Sequence, residues 1–501
     1  MSQIQISDLS FCYDGSFDPV FSHVSLTLDD EWKLGLIGRN GRGKTTLLRL
    51  LAGELHGAGR ISSNAVFCLF PVPVGHPERM TRAVLTEFGG GCEEWELLRE
   101  LSLLGVDEDA LERPFSTLSP GEQAKAQLAA LFTREHAFPL IDEPTNHLDQ
   151  EGRRLLGAYL RRKRGFLLVS HDRALLDACI DHVLSINKAD IELQKGNFST
   201  WKQARDRQDA FERGENERLR REIGRLNQAA RRAADWSEQI EASKYGTRNS
   251  GLRPDRGFIG HKSAKMMKRA KNAERRLEAA AEEKSALLKN VERVDELKLH
   301  PLRHHAGRLL TLESLAPCYD GRAVCAPVSL EVMQDERIAL TGGNGAGKSS
   351  LLRLLAGEKQ DCTGTLIRAG GLIVSYVPQR TDFLAGGLRA FAEGIDYSLF
   401  LTILRKLGFE RAQFEKDIAD FSAGQKKKVL LARSLCEQAH LYLWDEPLNY
   451  IDLDSRMQIE QLLAAFQPTM VFVEHDAAFT AAVATRTLAL TAAGACARPS
   501  R

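Results

Sequence analysis

The sequence predicts an α/β fold that occurs twice in one chain, with an α-helical linker between the two copies. Five short motifs recur in the same order at offsets of 303 to 306 residues. In each copy, apolar runs typical of buried strands alternate with helix-like segments. The residues between the copies show the 4,3 spacing of apolar positions that is typical of a coiled coil. We therefore expect domains at residues 1–195 and 306–501, and a helical hairpin at residues 196–305.

The repeat consists of five pairs of motifs. Chance does not place five similar pairs in one order at nearly one offset, so the chain is a head-to-tail duplication. The pairs begin at Cys12 and Cys318 (CYDG), Gly38 and Gly342 (G-x-N-G-x-G-K), Ser119 and Ser422 (S-x-G), Asp142 and Asp445 (DEP), and His171 and His475 (HD).

The composition is that of an ordinary globular protein, 43% hydrophobic and 27% charged, with a formal net charge of +1. No apolar run approaches the ~18 residues that a membrane-spanning helix needs. The N-terminus, MSQIQISDLSF, has neither the basic start nor the apolar stretch of a signal peptide. The nine cysteines form no CxxC pair, which argues against a zinc site or a disulfide framework. We expect a soluble cytoplasmic protein without a membrane segment.

Two glycine-rich loops have the pattern G-x-x-x-x-G-K-[ST]. Each follows a strand-like run (KLGLIG or RIALTG) and precedes a helix-like segment (TLLRLLAGE or SLLRLLAGE), which is the context of a phosphate-binding loop. The glycines let backbone N–H groups close around phosphates, and the helix N-terminus adds its positive dipole end. The lysine reaches the β- and γ-phosphates, and the next hydroxyl holds Mg²⁺. The predicted nucleotide contacts are Gly38, Asn40, Gly41, Gly43, Lys44, Thr45 and Thr46, and then Gly342, Asn344, Gly345, Gly347, Lys348, Ser349 and Ser350.

An acidic pair ends an apolar run in each copy, Asp142 and Glu143 in LIDEP and Asp445 and Glu446 in LWDEP. Such runs are typical of buried parallel strands, whose C-terminal ends face the ligand in α/β sheets. The aspartates are the predicted Mg²⁺ partners, and the glutamates are the predicted catalytic bases that position water. Helix-capping acids are the alternative, but that reading leaves the nearby phosphate loops unexplained.

Two histidines and two tyrosines complete the candidate sites. His171 and His475 each follow an apolar run and precede Asp. A satisfied loop histidine is the ordinary alternative, but recurrence at the common offset favours a catalytic contact with the γ-phosphate. Tyr13 and Tyr319 precede the phosphate loops and are candidates to stack on adenine, with packing in the core as an open alternative.

The motifs LSPGEQ and FSAGQK, with the phosphate loops, the DEP acids and the histidines, resemble the signature of the ATP-binding cassette (ABC) ATPases. In that family the signature serine and glycine bind the γ-phosphate of ATP held by the opposite cassette. The resemblance implies ATP hydrolysis with Mg²⁺ at two composite sites within one monomeric chain. One would combine Gly38–Thr45 with Ser422 and Gly424, and the other would combine Gly342–Ser349 with Ser119 and Gly121.

The two sites depart differently from the family pattern. The second carries Gln379 in VSYVPQ, the expected contact for Mg²⁺ and water, whereas FCLFPV in the first has Val72 there. Glu122 replaces the usual Gln of the signature, and LNYID in the second cassette departs from TNHLD in the first. We expect two ATP sites with unequal rates, the first either coordinating Mg²⁺ differently or hydrolysing more slowly. The predicted magnesium set is Thr45, Asp142, Ser349, Gln379 and Asp445.

Two cassettes, no membrane span and a charged linker resemble the ABC-F subfamily, whose members bind the ribosome near the tRNA exit site. TNHLD is close to the D-loop of that subfamily. The resemblance implies the bacterial 70S ribosome as partner, with contacts to 23S rRNA and P-site tRNA. Two rival functions are weaker. A transporter subunit does not explain the fused cassettes and the arm, and DNA-associated ABC ATPases carry their coil inside one cassette.

The linker is basic although the chain is nearly neutral, with 25 Lys or Arg and 17 Asp or Glu between Trp201 and His300. Both halves show heptad spacing, which predicts an antiparallel coiled-coil hairpin roughly 60–70 Å long. Four glycines and Pro254 end the helices at a tip loop, residues 245–260. The alternative is a charged spacer between cassettes.

The positive charge concentrates near the tip, where aromatic residues lie among arginines, a mixture that suits RNA. The extended tip resembles the antibiotic-resistance branch of ABC-F (Lsa/Vga-like), which displaces lincosamides, streptogramin A and pleuromutilins near the peptidyl-transferase centre. A housekeeping factor that modulates tRNA position is the alternative. The predicted ribosome contacts are Tyr245, Arg248, Arg253, Arg256, Phe258 and Lys262.

Overall fold

The computed structural model describes residues 3–13, 19–187, 191–243, 298–409 and 413–493, with seven scattered helical positions between 265 and 279. The chain divides into two compact units. One comprises Met1–Trp201 and Val294–Arg501, which include both cassettes, and the other comprises Lys202–Arg293. None of the helices in the described ranges combines the length and apolarity that crossing a membrane requires.

The first cassette contains an antiparallel sheet in the order β2-β1-β4 and a larger sheet in the order β5-β6-β7-β3-β8-β9. The larger sheet is parallel except for the final β8–β9 pair. The strands are β1 (Gln3–Phe11), β2 (Phe21–Asp29), β3 (Lys33–Ile37), β4 (Ala58–Ser62), β5 (Val66–Phe70), β6 (Ala137–Asp142), β7 (Phe166–Val169), β8 (His182–Ile186) and β9 (Ile191–Lys195). The helices are α1 (Lys44–Leu51), α2 (Thr81–Phe88), α3 (Glu94–Leu103), α4 (Pro120–Leu131), α5 (Gln150–Arg162) and α6 (Arg173–Cys179), with 3₁₀ turns at Glu108–Glu112 and Phe115–Thr117.

The second cassette repeats this plan, with an antiparallel sheet built on its longest strand and a parallel sheet in the order β15-β16-β17-β13-β18. The strands are β10 (Arg308–Tyr319), β11 (Arg322–Ala323), β12 (Val328–Met333), β13 (Arg337–Thr341), β14 (Cys362–Arg368), β15 (Val374–Val377), β16 (Leu441–Asp445), β17 (Met470–Val473) and β18 (Arg486–Ala489). Its helices, numbered after the linker helix α7 (Phe198–Ser243), are α8 (Lys348–Ala356), α9 (Leu388–Phe391), α10 (Tyr397–Lys406), α11 (Ala423–Cys436), α12 (Leu453–Phe466) and α13 (Ala477–Val483), with a 3₁₀ turn at Ile418–Asp420.

The matching strand order of the two parallel sheets confirms the predicted duplication. β7 and β17 are buried at every residue, which explains why both runs are apolar throughout and do not alternate. Parallel neighbours end at the same edge of a sheet. Asp142, the last residue of β6, and Asp445, the last residue of β16, therefore lie at the edge where the phosphate loops leave β3 and β13.

The linker leaves the first cassette as one continuous helix of 46 residues, α7. Its first turn is part of the cassette, because Phe198 is buried in the core and Ser199 N–H donates to Asp177 Oδ1 over 2.7 Å. At the other end, Leu299 is buried against the second cassette. The outgoing helix was predicted, whereas the pairing of the hairpin and the tip loop 245–260 lie outside the described residues. The same holds for the predicted tip contacts Tyr245, Arg248, Arg253, Arg256, Phe258 and Lys262.

Candidate active site

Each phosphate loop forms the predicted strand, turn and helix. Gly43 and Gly347 have φ of 87° and 83°, a left-handed conformation that side chains disfavour, and each begins the helix that follows. A Cβ atom on Gly43 would also lie 2.5 Å from the Val20 side chain. The loops are therefore tight turns that leave backbone N–H groups at a helix N-terminus, a geometry that binds anions.

The two loop lysines fold back over their own loops. Lys44 Nζ donates to the carbonyls of Gly38 and Arg39 over 2.6 and 3.2 Å. Lys348 Nζ donates to the carbonyls of Gly342 and Gly343 over 2.8 and 2.9 Å. Burial lowers the pKa of both ammonium groups. A phosphate at the loop would supply the negative charge that these buried cations need.

The carboxylates at the ends of β6 and β16 fit a magnesium ion. Thr45 Oγ1 donates to Asp142 Oδ2 over 2.8 Å, which brings two predicted Mg²⁺ residues together. In the second cassette, both Asp445 oxygens are buried, and neither accepts a hydrogen bond of normal geometry from the described residues. Burial, with repulsion from Glu446, raises the pKa of Asp445 to about 6. Buried oxygens short of a donor suit a hard cation that prefers oxygen ligands.

The predicted catalytic glutamates each lie beside the predicted histidine. His171 Nε2 is 3.4 Å from Glu143 Oε1, and His475 Nε2 is 3.3 Å from Glu446 Oε1. Both glutamates have positive φ, 48° and 47°, which is unusual for a residue with a side chain. Strained backbone of this kind clusters at functional sites. The structure thus places each glutamate beside the histidine of its own cassette, and the contact of both with the γ-phosphate stays a prediction.

The surroundings of the two glutamates differ. Glu446 Oε2 accepts hydrogen bonds from Gln379 Nε2 (2.8 Å) and Asn449 Nδ2 (2.7 Å). Burial alone would raise the pKa of Glu446, but the hydrogen bonds from His475 and Gln379 outweigh it and lower the pKa to about 2. Glu446 is therefore anionic at neutral pH, as a base needs to be.

The carboxylate of Glu143 accepts fewer hydrogen bonds from the described residues than that of Glu446. His171 donates its backbone N–H to Glu143 Oε2 over 3.3 Å, and Oε1 is buried without a hydrogen bond from the described residues. Burial and the neighbouring Asp142 raise the pKa of Glu143 to about 8. The side chain of Val72 has no amide that could donate to Glu143. The backbone N–H and carbonyl of Val72 are both hydrogen-bonded to the Gln127 side chain over 3.1 Å. The two glutamates thus differ in their hydrogen-bond partners, and unequal rates at the two sites stay a prediction.

The signature motifs form capping boxes at the starts of α4 and α11. Ser119 Oγ accepts from the Glu122 backbone N–H, and Ser422 Oγ accepts from the Gln425 backbone N–H, both over 3.3 Å. The Ser119 hydroxyl also donates to Glu122 Oε2 over 2.8 Å. Glu122 thus takes the role in the box that Gln425 has in the second cassette.

Each phosphate loop contacts the D-loop of the opposite cassette. Asn40 Nδ2 donates to the Tyr450 carbonyl over 3.1 Å, and Asn344 Nδ2 donates to the His147 carbonyl over 3.3 Å. The signature glycines pack on these same two carbonyls. A Cβ atom on Gly424 would lie 2.7 Å from the Tyr450 oxygen, and one on Gly121 would lie 3.0 Å from the His147 oxygen. The cassettes therefore face each other as the composite sites require, while contact of Ser119 and Ser422 with nucleotide stays a prediction.

The two tyrosines lie at the surface. Tyr13 and Tyr319 are 45% and 47% exposed, so neither is packed in the core. Their hydroxyls hydrogen-bond to Thr46 Oγ1 (2.8 Å) and Ser350 Oγ (3.2 Å), in the first turns of α1 and α8. Their rings are thus beside the phosphate loops, and stacking on adenine stays a prediction.

Sequence patterns did not single out Asn449 and Lys427, which support the second site, or Arg456, which contacts the first. Asn449 contacts Glu446 directly, yet Asn146 has the same place in TNHLD and no such hydrogen bond in the described structure. Lys427 Nζ, buried on α11, donates to the carbonyls of Pro378 and Asp445 over 2.8 and 3.1 Å. It therefore ties the Gln379 segment to β16. Arg456 reaches the first cassette, as described below.

A family model and several known proteins match this chain. A family model described as ABC transporter matches residues 21–146 and 325–449. Ribosome protection protein VmlR of Bacillus subtilis is 27% identical over 93% of this chain and 83% of its own length. ATP-binding protein Uup of Caulobacter vibrioides is 29% identical over 95% of this chain and 75% of its own. Energy-dependent translational throttle protein EttA of Escherichia coli is 24% identical over 94% and 89%.

Solved structures support the fold. A complex of archaeal ribosomal stalk protein aP1 and the ribosome recycling factor aABCE1 contains a chain that matches with a TM-score of 0.62 and 20% identity. The match covers 96% of this chain and 87% of that one. The protein is thus an ATPase that belongs to the ABC transporter family and carries two of its cassettes in one chain.

Proposed function

We propose that this protein binds the bacterial ribosome in the cytoplasm and protects it from antibiotics that bind the large subunit. The observation that carries the proposal is the similarity to ribosome protection protein VmlR along 93% of this chain. Two further features support it: the facing phosphate loops and D-loops of the two cassettes, and a linker helix of 46 residues that leaves the first cassette. The lincosamides, streptogramin A and pleuromutilins are the drug classes that we expect.

ATP binding closes the cassettes in this proposal. Phosphate oxygens replace the loop carbonyls as acceptors for Lys44 and Lys348, and the opposite signature helix adds its N-terminus to the γ-phosphate. Magnesium, when bound, neutralises charge on the transferring phosphate, and Thr45, Asp142, Ser349, Asp445 and Gln379 would hold it.

Hydrolysis then releases the protein from the ribosome. At the second site Gln379 and Asn449 hold the anionic carboxylate of Glu446, which orients water and takes its proton. At the first site Glu143 is mostly protonated near neutral pH, because its pKa is about 8. The first site therefore turns over more slowly and keeps the cassettes closed for longer.

The linker tip is the part that we expect to act on the drug. Its predicted contacts, among them Arg248, Arg253 and Phe258, carry positive charge and an aromatic ring toward rRNA or P-site tRNA. The test is the susceptibility of a sensitive bacterium that expresses the protein or a variant without residues 247–260. Protection by the intact chain and its loss on deletion supports the proposal. The Glu143→Gln, Glu446→Gln chain, with an intact tip, is the control for ATP turnover.

A housekeeping role in translation is the second candidate. EttA, named as a translational throttle, matches over 94% of this chain, so similarity alone does not separate the two roles. If neither the intact chain nor the tip deletion alters susceptibility, and the intact chain changes translation with purified ribosomes, the housekeeping role replaces the protective one.

A further inference from the structure

Arg456 of the second cassette reaches into the first ATP site. It lies on the first turns of α12, and its side chain is only 5% exposed. Its Nη1 donates to the backbone carbonyl of His171 over 2.9 Å, across the contact between the cassettes. The same nitrogen is 3.5 Å from Asp476 Oδ2, and Nε donates to the Ile451 carbonyl over 3.0 Å. One guanidinium thus joins the D-loop of its own cassette to the histidine loop of the other.

Among the described residues, Arg456 makes this hydrogen bond across the cassettes and its counterpart in the first cassette does not. Arg153 has the matching position on α5 of the first cassette, at an offset of 303. Its Nε donates to the Leu148 carbonyl over 3.1 Å, and its Nη1 donates to Asp172 Oδ2 over 3.2 Å. Within the described structure these hydrogen bonds remain inside the first cassette. Arg153 is therefore a control for the hydrogen bond across the cassettes, although its charge also opposes the rise that burial causes in the pKa of Glu474 in the second cassette.

A buried ion pair connects Arg456 to the signature helix. Lys428, on α11, donates to Asp452 Oδ2 over 2.7 Å, and the two side chains are 6% and 2% exposed. Asp452 caps α12 by accepting from the Ser455 N–H over 2.9 Å. α11 and the start of α12 are thus held together, and α11 begins with the signature that is predicted to clamp ATP at the first site.

Arg456 is also connected, through His171, to the predicted catalytic Glu143. Arg456 holds the carbonyl of His171, and the backbone N–H of His171 donates to Glu143 Oε2 over 3.3 Å. The Nε2 of the same histidine is 3.4 Å from Glu143 Oε1. A shift of the His171 loop would therefore move both groups that face the first-site γ-phosphate.

We propose that Arg456 is a positioning residue for the first ATP site. When the second signature helix docks on first-site ATP, Lys428 and Asp452 carry α12 with it, and Arg456 fixes the His171 loop in its catalytic position. The guanidinium suits this task because Nη1 and Nε are separate donors in one rigid plane, so it reaches the His171 and Ile451 carbonyls together, whereas the donors of an ammonium group all leave from one atom. The inference rests on the assignment of Glu143 and His171 to hydrolysis and not on the ribosome as partner.

The test compares Arg456→Lys with Arg153→Lys, since lysine keeps the charge that the buried aspartates need. First-site turnover is measured in the Glu446→Gln chain and second-site turnover in the Glu143→Gln chain, with unfolding midpoints to verify folding. We expect Arg456→Lys to lower first-site kcat about tenfold and to leave KM within twofold, as for loss of one charge-assisted hydrogen bond. Arg153→Lys leaves second-site kcat within twofold. A first-site kcat unchanged by Arg456→Lys, or an equal effect of Arg153→Lys on the second site, overturns the proposal.

A second measurement does not depend on turnover. Hydrogen exchange is followed in the Glu143→Gln, Glu446→Gln chain with bound ATP. Arg456→Lys is expected to speed exchange in residues 170–173, and Arg153→Lys is expected to leave residues 474–477 unchanged. Equal protection of residues 170–173 with arginine and with lysine contradicts the proposal. Neither measurement contains ribosomes, so a negative result here leaves the proposed protective function standing.

Discussion

Replacing Val72 by Gln should accelerate the first ATP site, which we propose to be the slower one. With a pKa of about 8, Glu143 is ionised in roughly one molecule in ten at pH 7. In the second cassette, His475 and then the amide of Gln379 lower the pKa of Glu446 to about 2. A glutamine at position 72 that lowers the pKa of Glu143 below 6 would make nearly all molecules competent. The expected gain in first-site kcat at pH 7 is therefore about tenfold, or about 1.4 kcal/mol.

The assay is single-turnover ATP hydrolysis between pH 6 and 9 in the Glu446→Gln chain. A protonated glutamate cannot accept a proton from water, so the rate should rise about tenfold per pH unit below pH 8 and level off above it. Val72→Gln should move this rise to lower pH. Val72→Met is the matched control, because methionine is similar in size to glutamine and has no amide.

Two results would refute this reasoning. A first-site rate that is flat from pH 6 to 8 would mean that protonation of Glu143 does not limit turnover. An equal acceleration by Val72→Met would mean that side-chain size, and not the amide donor, is the difference between the sites.

Further predictions concern the residues that hold the sites together. Asn449→Ala removes a donor to Glu446 and should lower second-site kcat about three- to tenfold, whereas Asn146→Ala should change first-site kcat less than twofold, both by single-turnover hydrolysis. Lys428→Met leaves Asp452 buried without its cation and should reduce the free energy of unfolding by about 3–5 kcal/mol in urea titration. The double variant with Asp452→Asn, whose side chain can still cap α12, should lose less, and an equal loss would show that the ion pair is not the cause. Asn40→Ala with Asn344→Ala removes both hydrogen bonds from phosphate loops to D-loops, at about 0.5–1.5 kcal/mol each. ATP should then dissociate faster from the Glu143→Gln, Glu446→Gln chain, and an unchanged rate would argue against these contacts in the closed state.

The sequence predicted the parts of the fold and site that depend on local pattern. The phosphate loops combine positive φ at glycine with a helix start, and both features are encoded within a few residues around Gly43 and Gly347. The buried parallel strands are visible as apolar runs, and the offset between copies places Glu143 and Glu446 at equivalent strand ends. Val72 was noticeable because Gln379 occupies the matching position.

Features that depend on contacts distant in sequence were not predicted. Asn449 and Asn146 are the same residue at the same offset, yet only Asn449 donates to its glutamate among the described contacts. Arg456 and Arg153 are also matched, and their difference arises from the way the two cassettes meet. A sequence repeat predicts equivalent roles, so it cannot reveal where the two copies diverge in space.

In the proposed cycle, ATP binding drives this protein onto the ribosome and hydrolysis releases it. The most direct measurement is co-sedimentation of the Glu143→Gln, Glu446→Gln chain with bacterial 70S ribosomes, with ATP and with ADP. The variant should pellet with ribosomes in ATP and remain in the supernatant in ADP, while the wild type is retained weakly in both. Absence of the variant from the ribosomal pellet in ATP, when nucleotide binding is intact, would contradict the account.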